Sequence, residues 1–80
     1  MNLNLYLIKI VNVHSGNVTL QVVSAENIKT AFHIWKYNFG ANFEFGNLQP
    51  GNNALYYRFQ ETDFYIAPTG KYPISDPIEL

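Results

Sequence analysis

Apolar positions along this chain change their period twice, and the changes mark out the elements. Residues 3–13, LNLYLIKIVNV, are aliphatic or aromatic at most positions, and Lys9 is the main interruption. A run rich in such residues, without Gly or Pro, predicts a strand. Tyr6, Ile8 and Ile10 fall on one face, and Leu5, Leu7 and Val11 on the other. Apolar residues on both faces predict a central place in a sheet. We assign the Tyr6 face to the side under a helix. Residues 14–17, HSGN, are a turn signal. Val18, Leu20 and Val22 then alternate with Thr19 and Gln21, which predicts a half-buried strand returning on the first as a hairpin.

From residue 24 to 40, SAENIKTAFHIWKYNFG, the period becomes helical. Ala25, Ile28, Ala31, Phe32, Trp35 and Phe39 make one apolar stripe, which predicts a helix over about residues 25–39 packed on a sheet. Ser24 is the expected N-cap, with Glu26 near the positive end of the helix dipole and Lys36 near the negative end. Gly40 suits a left-handed C-terminal cap. Lys29, His33, Lys36 and Tyr37 face outward, and Ile34 falls near that outer side.

The period then shortens again. Phe43 and Phe45 alternate with polar neighbours and suggest a short strand. Residues 46–53, GNLQPGNN, read as a loop of turn formers. Residues 54–60, ALYYRFQ, predict a strand with Leu55, Tyr57 and Phe59 on one face and Tyr56 and Arg58 on the other. A turn at residues 61–63 leads to a last strand over 64–67. The tail from residue 68 holds three of the four prolines and is expected to be irregular. Its Tyr72, Ile74, Ile78 and Leu80 can pack on the second apolar face of the first strand. The expected fold is a single α+β domain, residues 1–80. It is a two-layer sandwich of order ββαβββ, with one helix on a mainly antiparallel sheet.

Composition narrows the function. The chain has 80 residues, 16% aromatic, and no cysteine. Disulfides, thiolate metal sites and cysteine nucleophiles are therefore excluded. The formal charge is −1, which disfavours a general nucleic-acid binder held by counterion release. Residues 1–40 carry net +2 and residues 41–80 net −3, a mildly bipolar distribution. The first apolar run is too short to span a bilayer and lacks the basic lead of a secretory signal, so no membrane association is expected. Asn, Ile, Tyr, Phe and Lys supply 33 residues, and all have AT-rich codons, which fits a bacterium or its phages. A bacterial cytoplasm is the expected location.

No catalytic, metal or cofactor site is expected. His14 and Ser15 are adjacent in a turn, where side chains rarely converge as a nucleophilic pair requires. His14 and His33 lack further ligands at a metal-binding spacing. Glu61 and Asp63 flank an exposed turn, without the opposed environments of an acid–base pair. The loop at 46–53 lacks the Lys-Ser/Thr ending of a phosphate-binding loop. Tyr56, Tyr57, Arg58 and Phe59 resemble the dressing of an RNA-stacking sheet, but the Gly of that signature is missing. What remains is protein binding. The candidate partner-binding residues are Lys29, His33, Lys36 and Tyr37 on the helix, with Tyr56, Arg58, Glu61 and Asp63 on the last hairpin.

Three features of the chain resemble a phage-encoded anti-CRISPR protein that inhibits a type I-E system. They are an early strand containing Tyr6, Leu7 and Ile8, and a Val-rich strand entering an Ala-containing helix at residues 22–25. The third is an ending with Gly70, Tyr72, Pro73, Glu79 and Leu80. The helix here is more aromatic, and no functional residue carries across. The resemblance implies a non-enzymatic inhibitor that binds a host protein, a Cas protein or the CRISPR surveillance complex, and blocks DNA targeting. A single-stranded nucleic-acid-binding domain using the sheet aromatics is the alternative. A homodimer is also open, because a strand apolar on both faces in so small a domain can call for a second subunit.

Overall fold

A computed structural model describes residues 3–51 and 54–70. One helix packs across a five-stranded, wholly antiparallel sheet, as the pattern of periods predicts. The strands are β1 (Asn4–Asn12), β2 (Val18–Ala25), β3 (Gln49–Pro50), β4 (Leu55–Phe59) and β5 (Thr62–Gly70), and the helix is α1 (Ile28–Phe39). Their order across the sheet is β2-β1-β5-β4-β3. β1 is therefore an interior strand, one in from the β2 edge, bracketed by its hairpin neighbour β2 and by the distant β5, and β5 takes the centre expected for β1. An interior place pairs β1 on both edges, and the helix covers only its Tyr6 and Ile8 face.

Tyr6 and Ile8 of β1 lie under the helix with Phe64 and Ile66 of β5, as assigned, and all are buried. The helix contributes Ala31, Phe32 and Trp35 to that core. Phe32 is wholly buried, its ring 5.6 Å from Phe43, 5.7 Å from Phe45 and 5.7 Å from Phe64. Tyr57 and Phe59 of β4 complete the cluster through Phe43, which lies 4.8 Å from Tyr57. Offset and edge-on ring pairs of this kind add to the area they bury.

Several details differ from expectation. The helix begins at Ile28 rather than near residue 25, because β2 keeps pairing to its end, Ala25 opposite Asn4. Ala25 is buried as expected, but from the sheet. The cap is Asn27, not Ser24: its Oδ1 accepts from the Thr30 N–H at 2.8 Å. Glu26 consequently precedes the helix. At the other end Gly40 takes the left-handed conformation, φ 67°, and its N–H donates to the Lys36 carbonyl. Phe39 leaves the predicted stripe, being 56% exposed in the last turn and stacked on Trp35.

Residues 43–45 are not a strand. Phe43 is buried, and a single 3-10 turn, Phe45–Asn47, follows it. Both rings reach Phe32, so an alternation that suggests a strand here marks two contacts on one neighbour. A short β3 forms inside the predicted loop instead. The last hairpin turns on Gln60 and Glu61 alone, with Phe59 opposite Thr62 and Gln60 at φ 55°. Positive φ at the first turn position fits the twist of a two-residue hairpin. β5 then runs through Pro68, which pairs with Tyr6 at a bulge. The alternation of bonds directs the Pro68 nitrogen toward β4, whose pairing has already ended at Leu55 opposite Ile66, so no ladder bond is lost. The irregular tail expected from residue 68 therefore does not begin at Pro68, and the rest of it lies outside the described residues.

Candidate functional site

The helix covers one face of the sheet. Among the described residues nothing covers the other. Strand register sets that open face out in rows. Val18, Val11, Asp63 and Arg58 form one row, Leu20, Lys9, Tyr65 and Tyr56 the next, and Val22, Leu7 and Ala67 a third. The face is graded. Its β2 side is aliphatic, with Val18, Leu20 and Val22 between 47% and 52% exposed. Its β5–β4 side is aromatic and charged.

Val18, Leu20 and Val22 thus face away from the helix. The alternation of β2 is real, but its apolar residues face opposite to the core, while Gln21 and Val23 occupy the helix side. Only the register against β1 decides this, because a one-residue shift exchanges the faces of a strand.

On the polar side, Arg58 grips Asp63 through two bonds, Nε to Oδ1 at 2.6 Å and an Nη nitrogen to Oδ2 at 3.0 Å. The bond from Arg58 holds the Asp63 carboxyl below the usual carboxylate range, and the same bond raises the guanidinium. Lys9 Nζ lies 5.6 Å from the Tyr65 ring centroid, within range of a cation–π attraction. Tyr65 and Tyr56 approach at 5.8 Å between centroids.

The candidate binding residues divide between opposite sides of the molecule. Lys29, His33 and Tyr37 line the outer surface of α1, and Tyr37 is 88% exposed. Lys36 is drawn down onto Glu44 at 2.8 Å, and that bond lowers the Glu44 carboxyl. Tyr56, Arg58 and Asp63 belong to the open sheet face. Glu61 sits in the turn at its end, 3.2 Å from His14 Nε2. Nothing brings the helix set and the hairpin set together. His14 engages Glu61 rather than Ser15, whose Oγ accepts from the Asn17 N–H instead. The four-residue aromatic dressing also splits: Tyr57 and Phe59 turn into the core, and Tyr56 and Arg58 stay outside.

Lys9, Tyr65 and the aliphatic residues of β1 and β2 were not among the candidates. The signal for them is the two-faced apolar pattern of β1, which specifies a second apolar surface without naming its neighbours.

Among the described residues no group of His, Asp or Glu is arranged to hold a metal ion. No described helix is long and apolar enough to cross a membrane. Neither protein-family models, nor curated proteins, nor solved structures give a match to this chain.

Proposed function

We propose that this chain is a non-enzymatic protein-binding module and that the open sheet face receives its partner. The exposed Val18, Leu20 and Val22 beside the Tyr65, Tyr56 and Arg58 side carry this reading. Exposed apolar residues bordered on one side by aromatic and charged residues have the composition of a protein interface. Tyr and Arg are the residues on which such interfaces concentrate their binding energy. An open sheet surface suits a folded protein better than a small ligand, which prefers a concave site.

The resemblance to anti-CRISPR proteins directs the choice of partner to a Cas protein or the surveillance complex of a bacterial host, and the role to an inhibitor acting in that cytoplasm. The test is co-purification of tagged chain with a type I-E complex. Leu20→Asp and Tyr65→Ala each weaken capture while leaving the circular dichroism of the free chain unchanged. Capture that survives both changes overturns the assignment of the face. No capture of the complex overturns the choice of partner.

The nucleic-acid alternative is the weaker one. Arg58 is already neutralised by Asp63, and Tyr57 and Phe59 are turned away from the open face. Salt-sensitive retention of single-stranded DNA that is lost in Tyr56→Ala reverses that ranking.

A further inference from the structure

The two edges of the sheet are built differently. β3 ends one side with only two residues, one of them Pro50. A short edge carrying proline resists pairing with other chains. β2 ends the other side with eight residues, VTLQVVSA, without proline, charge or bulge. Among the described residues it is paired on one side only.

The direction of its free groups follows from the hairpin. Asn12 N–H donates to the Asn17 carbonyl, and the strands continue in the register that sets Ile8 opposite Gln21. Bonding pairs alternate in an antiparallel ladder, so Thr19, Gln21 and Val23 bond to β1. Val18, Leu20, Val22 and Ser24 direct their N–H and C=O groups outward.

That edge is flanked by apolar groups on both sides. On the open face are Val18, Leu20 and Val22. On the helix side, Ile34, Trp35, Asn38 and Phe39 line a groove of about 470 Å³ against residues 21–24. Ile34, which is awkward as an outward residue of the helix, borders this groove and is 40% exposed.

We propose that a second copy of this chain adds its own β2 antiparallel to this edge, about a two-fold axis at Gln21. In that register Val18 faces the partner's Ser24, and Leu20 faces the partner's Val22. Every outward N–H and C=O of these four residues then meets its counterpart. A shift of the axis by one residue leaves some of them unmatched. A shared β2 seam about 23 Å long follows from residues 18–24 at about 3.3 Å per residue. Because β2 carries no charge, the axis sets no like charges opposite one another. Both helices lie on the same side of the joined sheet, each with Ile34 and Phe39 toward the seam. The open faces merge into one surface whose centre is the aliphatic strip of both copies. A second copy is favoured over a foreign strand because one axis both uses every free backbone group and repeats the apolar flank across the seam.

The full chain alone tests this, whatever other partner it has. Light scattering after size exclusion is expected to give twice the chain mass at micromolar concentration, and Val22→Lys to weaken self-association at least tenfold. The chain has no cysteine, so an introduced one reports the register without background. Gln21→Cys meets itself at a non-bonded pair with Cα atoms about 4.5 Å apart, within disulfide reach. Mild oxidation should link it into a covalent dimer. Thr19→Cys and Val23→Cys should link only when mixed, because each faces the other across the axis. If Val22→Lys does not fold, the cysteine series decides alone. A monomeric mass for the unmodified chain overturns the proposal. So does a dimer indifferent to Val22→Lys, or Thr19→Cys linking to itself as readily as Gln21→Cys.

Discussion

The two faces of this sheet are built from the same strands yet differ in kind. The covered face is aromatic and interlocked: Phe32, Trp35, Phe43, Phe64 and Tyr57 meet ring to ring, and Ile8 and Ile66 lie sealed among them. The open face is aliphatic near β2 and salt-bridged near β4, and its side chains remain half in water. The helix makes the difference. A residue under α1 loses a neighbour when it is truncated, whereas one on the open face loses mainly solvent contact. Stability should therefore reside on one face and association on the other.

The largest effect that can break this contrast is Phe32→Ala. It empties the centre of the ring cluster and should cost about 3–5 kcal/mol, enough to unfold much of a domain this size at room temperature. Urea unfolding checks it, and a loss under about 1 kcal/mol would mean that the cluster closes around the gap. Next come the ends of the helix that creates the covered face. Gly40→Ala forces a side chain into a left-handed conformation, at about 1 kcal/mol or more. No neighbouring atom lies within 4 Å to obstruct a Cβ there, so the cost is purely conformational. Asn27→Ala should cost about 1 kcal/mol, measured as a lower midpoint at unchanged denaturant slope. Val22→Thr on the open face should fall within about 0.5 kcal/mol while weakening association. A large loss of stability from it would erase the distinction between the faces.

The smallest effect sharpens the polar end. Asp63 and Glu44 titrate below their ordinary values because Arg58 and Lys36 bond to them. Groups depressed in this way add stability above the unfolded carboxylate value, about pH 4, and lose it as pH falls through the folded value. Thermal midpoints should therefore fall below that pH, and Asp63→Asn should flatten the fall. Both pairs lie at the surface, so the slope is gentle.

The period changes were enough to read the class, the order of elements and the face of β1 that meets the helix. Gly40 was legible as a cap because few other residues serve there. The helix start was not, because residues 24–25 satisfy a helical stripe and a strand equally well, and only the partner Asn4 decides. Phe43 and Phe45 misled for a related reason: alternation reports which side chains share a neighbour, and a turn can supply that as well as a strand. The open face was legible only in outline. Its aliphatic half could be read from β1 and β2, but Tyr65 and Lys9 join it through cross-strand register, which no local pattern contains. Six of the eight helix and hairpin candidates are exposed, while Lys36 and Asp63 are half-buried in ion pairs with Glu44 and Arg58, and the separation of the two sets onto opposite sides of the molecule is a property of layering.

The pairing of β1 with β5 has a kinetic meaning. The middle of the sheet joins residues 4–12 to residues 62–70. A chain emerging from the ribosome can form the β1–β2 hairpin and begin α1, but both elements stay without a floor until β5 arrives. Closing so long a loop comes early in entropy cost and late in reward, which slows folding relative to helical domains of equal size. During that wait the uncharged β2 edge and both apolar faces of β1 are uncovered together. Nascent chains translated side by side are then at their most adhesive.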